Sequence, residues 1–235
     1  MDLLQIIFPK RCLFCQEVLA LDLKREYAPV CSACFEKAPF IVNGCPVCGA
    51  PKTGKACACE MENYHFERNI SLFVYNEMVA EVIHLLKYKK KREIGTGLGN
   101  LMMRNISFPG KFFENIDLIT TVPIHKKRMA ERGYNQSDLI AAEISKSSGL
   151  ALNKQLLLRT ADTPPLYNLT APERRAHLSG SFIMDQKNRI DGKVILLVDD
   201  IFTTGATLDE CAKILSENGA KKIFCITASK TIKKA

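Results

Sequence analysis

Two adjacent acids and a hydroxyl-rich turn, Asp199-Asp200-Ile201-Phe202-Thr203-Thr204-Gly205-Ala206-Thr207, close the apolar run Ile195 to Val198. Neighbouring carboxylates accept hydrogen bonds from two vicinal hydroxyls, as on a ribose ring. The residues after them supply small side chains, hydroxyl donors and backbone N–H groups at the start of a helix, where the dipole favours an anion. Together these are the parts of a ribose phosphate site. An ordinary strand–turn–helix with an acidic turn is the other reading of the same residues.

Chemistry of this kind needs rigid elements behind it. A strand buried on both faces reads as a continuous apolar run, and ligands of open α/β sheets sit beyond the carboxyl ends of such strands. Ile195 to Val198 is that run, and Leu208, Cys211, Ala212 and Leu215 then mark the apolar face of a helix, with Gly219 placed to end it. The segment resembles the phosphoribosyl pyrophosphate (PRPP) motif of type I phosphoribosyltransferases. The resemblance implies that Asp199 and Asp200 hold ribose hydroxyls and that residues 203–207 wrap the 5′-phosphate. Phe202 departs from the small or aliphatic residue more usual in that motif.

A second strand–loop–helix precedes it. Ile116 to Val122 reads as an apolar strand, followed by Pro123-Ile124-His125-Lys126-Lys127-Arg128-Met129-Ala130-Glu131-Arg132-Gly133-Tyr134-Asn135-Gln136-Ser137 and a helix over Asp138 to Lys146. Five potentially cationic side chains in one loop suit a pyrophosphate, because Arg and Lys bring both charge and donors. A further basic cluster, Lys87-Tyr88-Lys89-Lys90-Lys91-Arg92, ends a helix over Met78 to Leu86 that follows a strand over Asn69 to Tyr75. An aromatic ring among cations suits a polynucleotide backbone with a stacked base. A solvated helix end whose cations complement the dipole fits it equally.

The cysteines form a separate head. Cys12 and Cys15 pair with Cys31 and Cys34 as two CxxC motifs, and Cys45, Cys48, Cys57 and Cys59 follow. Eight thiolates make two four-coordinate structural zinc sites that leave no open position for chemistry. The spacing leaves sequential and interleaved pairing open, and an iron–sulfur cluster or a disulfide framework is the alternative. Cys211 and Cys225 fall in apolar elements and are read as core.

The 235 residues, 47% apolar and 25% charged, describe a globular chain with a full domain and a small one. No run approaches the roughly 18 apolar residues of a membrane span, and the start lacks a basic leader, so the expectation is a cytoplasmic protein without membrane insertion. Residues 1–65 hold seven Lys/Arg against seven Asp/Glu, so the net charge of +8 comes from residues 66–235. The second part is the one expected to meet an anion.

The run Val-Pro-x-His-x-x-Arg-x-x-x-Arg-Gly-Tyr-Asn-Gln over residues 122–136, taken with the cysteine head and the PRPP motif, is similar to the ComF/GntX family. The resemblance spans essentially the whole chain. It implies a double zinc-ribbon domain over 1–65 and a phosphoribosyltransferase-like α/β domain over 66–235, with a doubly wound, mostly parallel sheet and an inserted flap. Strands are expected near 117–122, 155–159, 194–198 and 222–228, the flap over 158–184, and a frayed basic tail over Lys230 to Lys234. In the flap, Leu166 and His177 stand where relatives carry Gln and Asn; Arg159, Arg174 and Arg175 are further candidate phosphate contacts.

The resemblance further implies the handling of incoming single-stranded DNA during natural transformation, with a DNA-uptake helicase or recombination protein as partner. PRPP or a related phosphate is the expected ligand, with Mg²⁺ accompanying it and Arg128 and Arg132 clamping the pyrophosphate. Two other readings stay open: an active phosphoribosyltransferase acting on an amine or nucleobase, and an adaptor that docks through its zinc head.

Overall fold

The computed structural model describes residues 9–19, 29–52, 57, 59, 63–106, 112–162 and 171–232. Its centre is a five-stranded parallel sheet in the order β1-β7-β6-β2-β3. The strands are β1 (Arg68–Val74), β2 (Leu118–Thr121), β3 (Leu152–Asn153), β6 (Val194–Phe202) and β7 (Lys222–Lys230). A separate antiparallel pair, β4 (Leu157–Arg159) with β5 (Phe182–Met184), lies outside it. The strand expected near 155–159 therefore leaves the main sheet, whose edge is instead the two-residue β3. Only long-range pairing distinguishes the two, and apolar content does not report it.

The helices are α1 (Ser32–Lys37), α2 (Glu77–Tyr88), α3 (Arg92–Asn105), α4 (Lys126–Arg132), α5 (Gln136–Ser148), α6 (Ala171–Leu178) and α7 (Ala206–Glu217). Asn76 caps α2 by accepting from the Val79 N–H at 3.0 Å. Gly133 and Gly149 end α4 and α5 in the left-handed region. In β6 the side chains divide between two cores. Leu196 and Val198 face the cluster of α2, α3 and α5, whereas Ile195, Leu197 and Phe202 face the cluster of α7 and the β4–β5 pair. A central strand covered on both faces has no polar side, which is why its sequence runs apolar.

Helices α3 and α5 approach closely because α3 carries Gly95 and Gly99 on the contact face. A Cβ at Gly99 would lie 2.7 Å from Glu143 Cβ and 2.8 Å from the Ile140 carbonyl oxygen. Alanine there gains about 1 kcal/mol of helix propensity, and overpacking against backbone costs more. Gly99→Ala is expected to destabilise the protein by about 1–3 kcal/mol in urea unfolding; an unchanged midpoint would contradict the tight seam.

The cysteine head clips over the free edge of β1. The Ile41 N–H donates to the Leu72 carbonyl at 2.9 Å, the Val74 N–H to Pro39 at 2.9 Å and the Asn69 N–H to Val47 at 2.7 Å. Phe40 bridges antiparallel to Phe73, whose buried ring also meets Phe14. Exposed edges invite pairing with other chains, and this one is covered. Cys12 and Leu13 join the apolar cluster on one face of the sheet, and Cys45, Cys48 and Cys59 join the cluster on the other. No helix among the described residues is long and apolar enough to cross a membrane.

Candidate functional site

Parallel pairing places the carboxyl ends of β2, β6 and β7 side by side, and the candidate residues gather there. β6 runs on through the acids to Phe202, because Asp199, Ile201 and Phe202 stay paired with Thr227, Ser229 and Lys230 of β7. The turn thus begins at Thr203, not directly after Val198. Gly205 has φ +84°, and a Cβ there would lie 2.6 Å from Phe202 Cζ and 3.0 Å from Tyr64 Cε1. Only glycine fits both the conformation and the space. Gly205 and Ala206 are buried, Thr204 and Thr207 half-buried and Thr203 exposed, with α7 leading away from the turn.

Asp199 and Asp200 are both buried. Asp199 Oδ1 accepts from Ser137 Oγ at 3.0 Å and from the Asp200 N–H at 2.9 Å. Asp200 Oδ2 forms a close ion pair with Lys87 Nζ. Burial, followed by the charge of Asp200, pushes the Asp199 carboxyl up to about 7, against the opposing pull of Lys87, the Asp200 N–H and the Ser137 hydroxyl. Asp200 is paired with a lysine, and its neighbour Asp199 binds a proton near neutral pH.

The segment expected as a cationic loop is partly helical. Residues 126–132 form α4, with His125 as N-cap and Gly133 as the left-handed stop. Arg128 and Arg132, half-buried at one spacing of four, fall on one side of it. Arg132 bonds the Gln136 side-chain carbonyl and lies 5.7 Å over the Tyr88 ring. Arg159 extends from β4 with its guanidinium 5.2 Å over Phe182. Burial lowers its pKa, as does the charge of Arg128, while Cys211, Asp199 and Asp162 oppose the shift. Arg159 therefore feels the charges of both Arg128 and Asp199 across the site.

Behind this lies a polar brace. Asn135 Nδ2 donates to the Val122 carbonyl at 2.9 Å and to Asp138 Oδ1 at 3.2 Å, and Thr121 Oγ1 donates to the same oxygen at 2.7 Å. Burial raises the Asp138 carboxyl, against the Thr121 and Asn135 bonds and Lys154. The brace ties the end of β2 to the first turn of α5 and aims Ser137 at Asp199.

The basic cluster divides. Lys87, half-buried, turns inward to Asp200, and Arg92 lies 5.2 Å over the Tyr134 ring as the first residue of α3. Tyr88 is 67% exposed and leans on His84; Lys89 and Lys90 are exposed, and Lys91 lies 3.7 Å from Glu93. The tail also differs from the expectation. Lys230 is the buried last residue of β7, with Nζ 2.9 Å from the Thr203 carbonyl. Residues 163–170, with Leu166, lie outside the described residues, as do the side chains of Arg174 and Arg175.

Ser137, Tyr64 and Lys230 are contacts that residue types alone did not single out. Strand order carries them: β2 beside β6 brings Ser137 to Asp199, and β7 beside β6 brings Lys230 to the turn.

In the head, Cys12, Cys15, Cys31 and Cys34 form one group and Cys45, Cys48, Cys57 and Cys59 another, with all sulfurs of a group within 4.8 Å of one another. The pairing is sequential. Zinc–sulfur bonds of about 2.3 Å in a tetrahedron place sulfurs roughly 3.8 Å apart, so each group fits one ion. The Cys31 N–H lies 3.4 Å from Cys12 Sγ, and the Val47 N–H 3.4 Å from Cys45 Sγ. Burial alone would raise the Cys12 thiol, yet the N–H of Cys31 and its neighbours bring it down to about 7. Burial and the adjoining sulfurs push Cys34 up to about 12. Four clustered thiols ionise together only around a cation.

Residues 3–62 match the double zinc ribbon domain, and residues 147–234 the phosphoribosyl transferase domain. The two cysteine groups are its two zinc sites. The chain is 28% identical over 225 residues to DNA utilization protein YhgH of Escherichia coli K12, covering 93% of this chain and 96% of that one. It is 29% identical over 229 residues to competence protein ComFC of Bacillus subtilis, covering 88% and 89%. Competence protein F of Haemophilus influenzae is 25% identical over 232 residues, covering 92% and 95%. Carrying a double zinc ribbon clipped to a phosphoribosyltransferase-type α/β domain, the chain is a homologue of the competence proteins ComFC and F and of DNA utilization protein YhgH.

Proposed function

We propose that this protein handles single-stranded DNA in the cytoplasm during DNA uptake or utilization and holds PRPP, or a related phosphate, at the ends of β2 and β6. The observation that carries the reading is the likeness, over nine-tenths of the chain, to relatives named for competence and DNA utilization. In this reading Asp200 and Asp199 take ribose hydroxyls, residues 203–207 take the 5′-phosphate, and Arg128 and Arg132 take the pyrophosphate. Mg²⁺ would supply charge neutralisation between phosphate oxygens.

Tyr88 offers an exposed ring backed by Arg132, with Lys89 and Lys90 beside it. Stacking on an aromatic face next to cations is sequence-tolerant, as a carrier of arbitrary DNA requires. Because Arg132 also belongs to the pyrophosphate segment, ligand and strand adjoin.

The test is a salt titration of single- and double-stranded DNA binding on zinc-loaded protein, with and without Mg²⁺-PRPP. Binding to single strands should fall steeply with salt, by about 0.7 in log–log slope per neutralised phosphate. Tyr88→Ala should weaken it about tenfold or more with little change in that slope. Salt-independent or absent single-strand binding would sink the reading. PRPP binding without DNA binding would instead favour transfer of ribose phosphate to an acceptor.

A further inference from the structure

The turn 203–205 is fastened from behind by two groups that lie far from it in sequence. Tyr64 donates its hydroxyl to the Thr204 carbonyl at 3.1 Å, and Lys230 Nζ donates to the Thr203 carbonyl at 2.9 Å and to the Thr231 carbonyl at 3.0 Å. The Thr231 N–H closes the same corner on the Phe202 carbonyl at 2.9 Å.

Each fastener is itself fixed. Tyr64 stacks on Phe66 with ring centroids 4.6 Å apart, and both rings meet Phe202 edge-on. The next residue, His65, is anchored to the first turn of α7: its N–H lies 2.7 Å and its Nδ1 3.0 Å from Asp209 Oδ1. Lys230 Nζ sits 4.5 Å over the Phe202 ring.

A trans peptide group is planar, with its C=O and N–H pointing in opposite directions. Drawing the Thr203 carbonyl towards Lys230 therefore turns the Thr204 N–H to the opposite side, and drawing the Thr204 carbonyl towards Tyr64 does the same for the Gly205 N–H. Those two N–H groups are donors for an anion held by the turn.

The geometry points to Tyr64 and Lys230 as positioning residues of the phosphate turn: by holding two carbonyls they aim two backbone N–H groups at the ribose 5′-phosphate. The inference rests on the reading of residues 203–207 as a phosphate site. Tyr64 leaves the zinc head five residues after Cys59, so the head supplies part of the anion site as well as covering the sheet edge. Without the two fasteners, either peptide is free to flip and present a carbonyl oxygen to the anion.

Calorimetry with ribose 5-phosphate and, separately, inorganic pyrophosphate tests this, with Tm recorded alongside. Tyr64→Phe keeps the stacked ring and removes only the donor. It should weaken ribose 5-phosphate about tenfold, the worth of a donor to a charged group, while pyrophosphate affinity and Tm stay near those of the parent. Lys230→Met should repeat the pattern, and Lys230→Arg, which keeps a donor, should restore most of the affinity. Unchanged ribose 5-phosphate affinity in Tyr64→Phe overturns the proposal, as does an equal loss of both ligands with a lowered Tm, which marks general loosening. Asp200→Asn separates the two failures. If it weakens ribose 5-phosphate and Tyr64→Phe does not, the positioning role alone is wrong; if the parent binds no ribose 5-phosphate, the phosphate-site reading fails and the proposal with it.

Discussion

Replacing Cys48 by serine is expected to release one zinc ion per chain and to lower Tm by at least about 8 °C, with aggregation on warming. A serine hydroxyl does not replace a thiolate on zinc, and structural zinc binding contributes on the order of 10 kcal/mol in small zinc domains. Cys48 is 2% exposed and lies within the apolar cluster that includes Leu197, Phe202 and the buried face of α7. Its carbonyl accepts from Asn69 Nδ2 at 3.0 Å, and Asn69 in turn donates to Ser71 Oγ at 2.8 Å, which lies 2.7 Å from Thr227 Oγ1 in β7. Loss of the ion therefore loosens the seam with β1 as well as the head. A loss of even about 4 kcal/mol corresponds to roughly 8–16 °C in a chain of this size, and an uncovered β1 edge is a template for pairing with a second molecule. Metal analysis and thermal unfolding decide it: one zinc retained with an unchanged Tm would sink the prediction. Cys15, exposed on the other site, should give a milder effect when changed to serine, because fewer core contacts depend on it.

At pH 8 the Asp199→Asn variant is expected to be more stable than its parent and unable to hold PRPP. The Asp199 carboxyl sits at about 7 in the folded protein, raised first by burial and next by Asp200, against about 3.9 in an unfolded chain. A carboxyl raised on folding gives its full contribution below the unfolded value, and that contribution is lost as pH climbs through 4 and on to 7. Above pH 7 the folded protein carries a buried second charge beside Asp200, a cost of a few kcal/mol. Asparagine removes that charge while keeping an oxygen for Ser137 and for the Asp200 N–H. The gain in Tm over the parent should be small at pH 4–5 and grow towards pH 8; a gain that does not grow with pH would contradict the raised carboxyl. Asp200→Asn should behave in the opposite way and lower stability, because it leaves Lys87 without its ion pair.

Much of this was written in residue order. The eight cysteines come in pairs close enough in sequence that metal binding is a local property of the head. The apolar run Ile195–Val198, the acids and the Thr-Thr-Gly turn are contiguous, so their conformation follows from local rules of strand, αL glycine and helix start. The α3 and α4 segments are less legible. Gly95, Gly97 and Gly99 argue against a helix by propensity, and tertiary packing on α5 and Leu13 overrides it. Residues 126–132 read as a loop by charge, and His125 and Gly133 turn them into a capped helix.

Contacts between distant segments came only with the tertiary structure. Lys87 reads like its neighbours Lys89 and Lys90, yet it alone of the three reaches Asp200, because α2 ends beside β6. Lys230 reads as part of a frayed tail, yet pairing of β7 with β6 buries it against the 203–205 turn. The head reads as a separate module, yet it completes the sheet edge, places one zinc site on each face and sends Tyr64 to the turn. Which chemistry the chain offers is legible in residue order, since the cysteine ligands and the residues of the 203–207 turn each lie close together in the chain. Which side chains are aimed, paired and charged there was decided by strand order and burial, which depend on contacts between residues far apart in sequence.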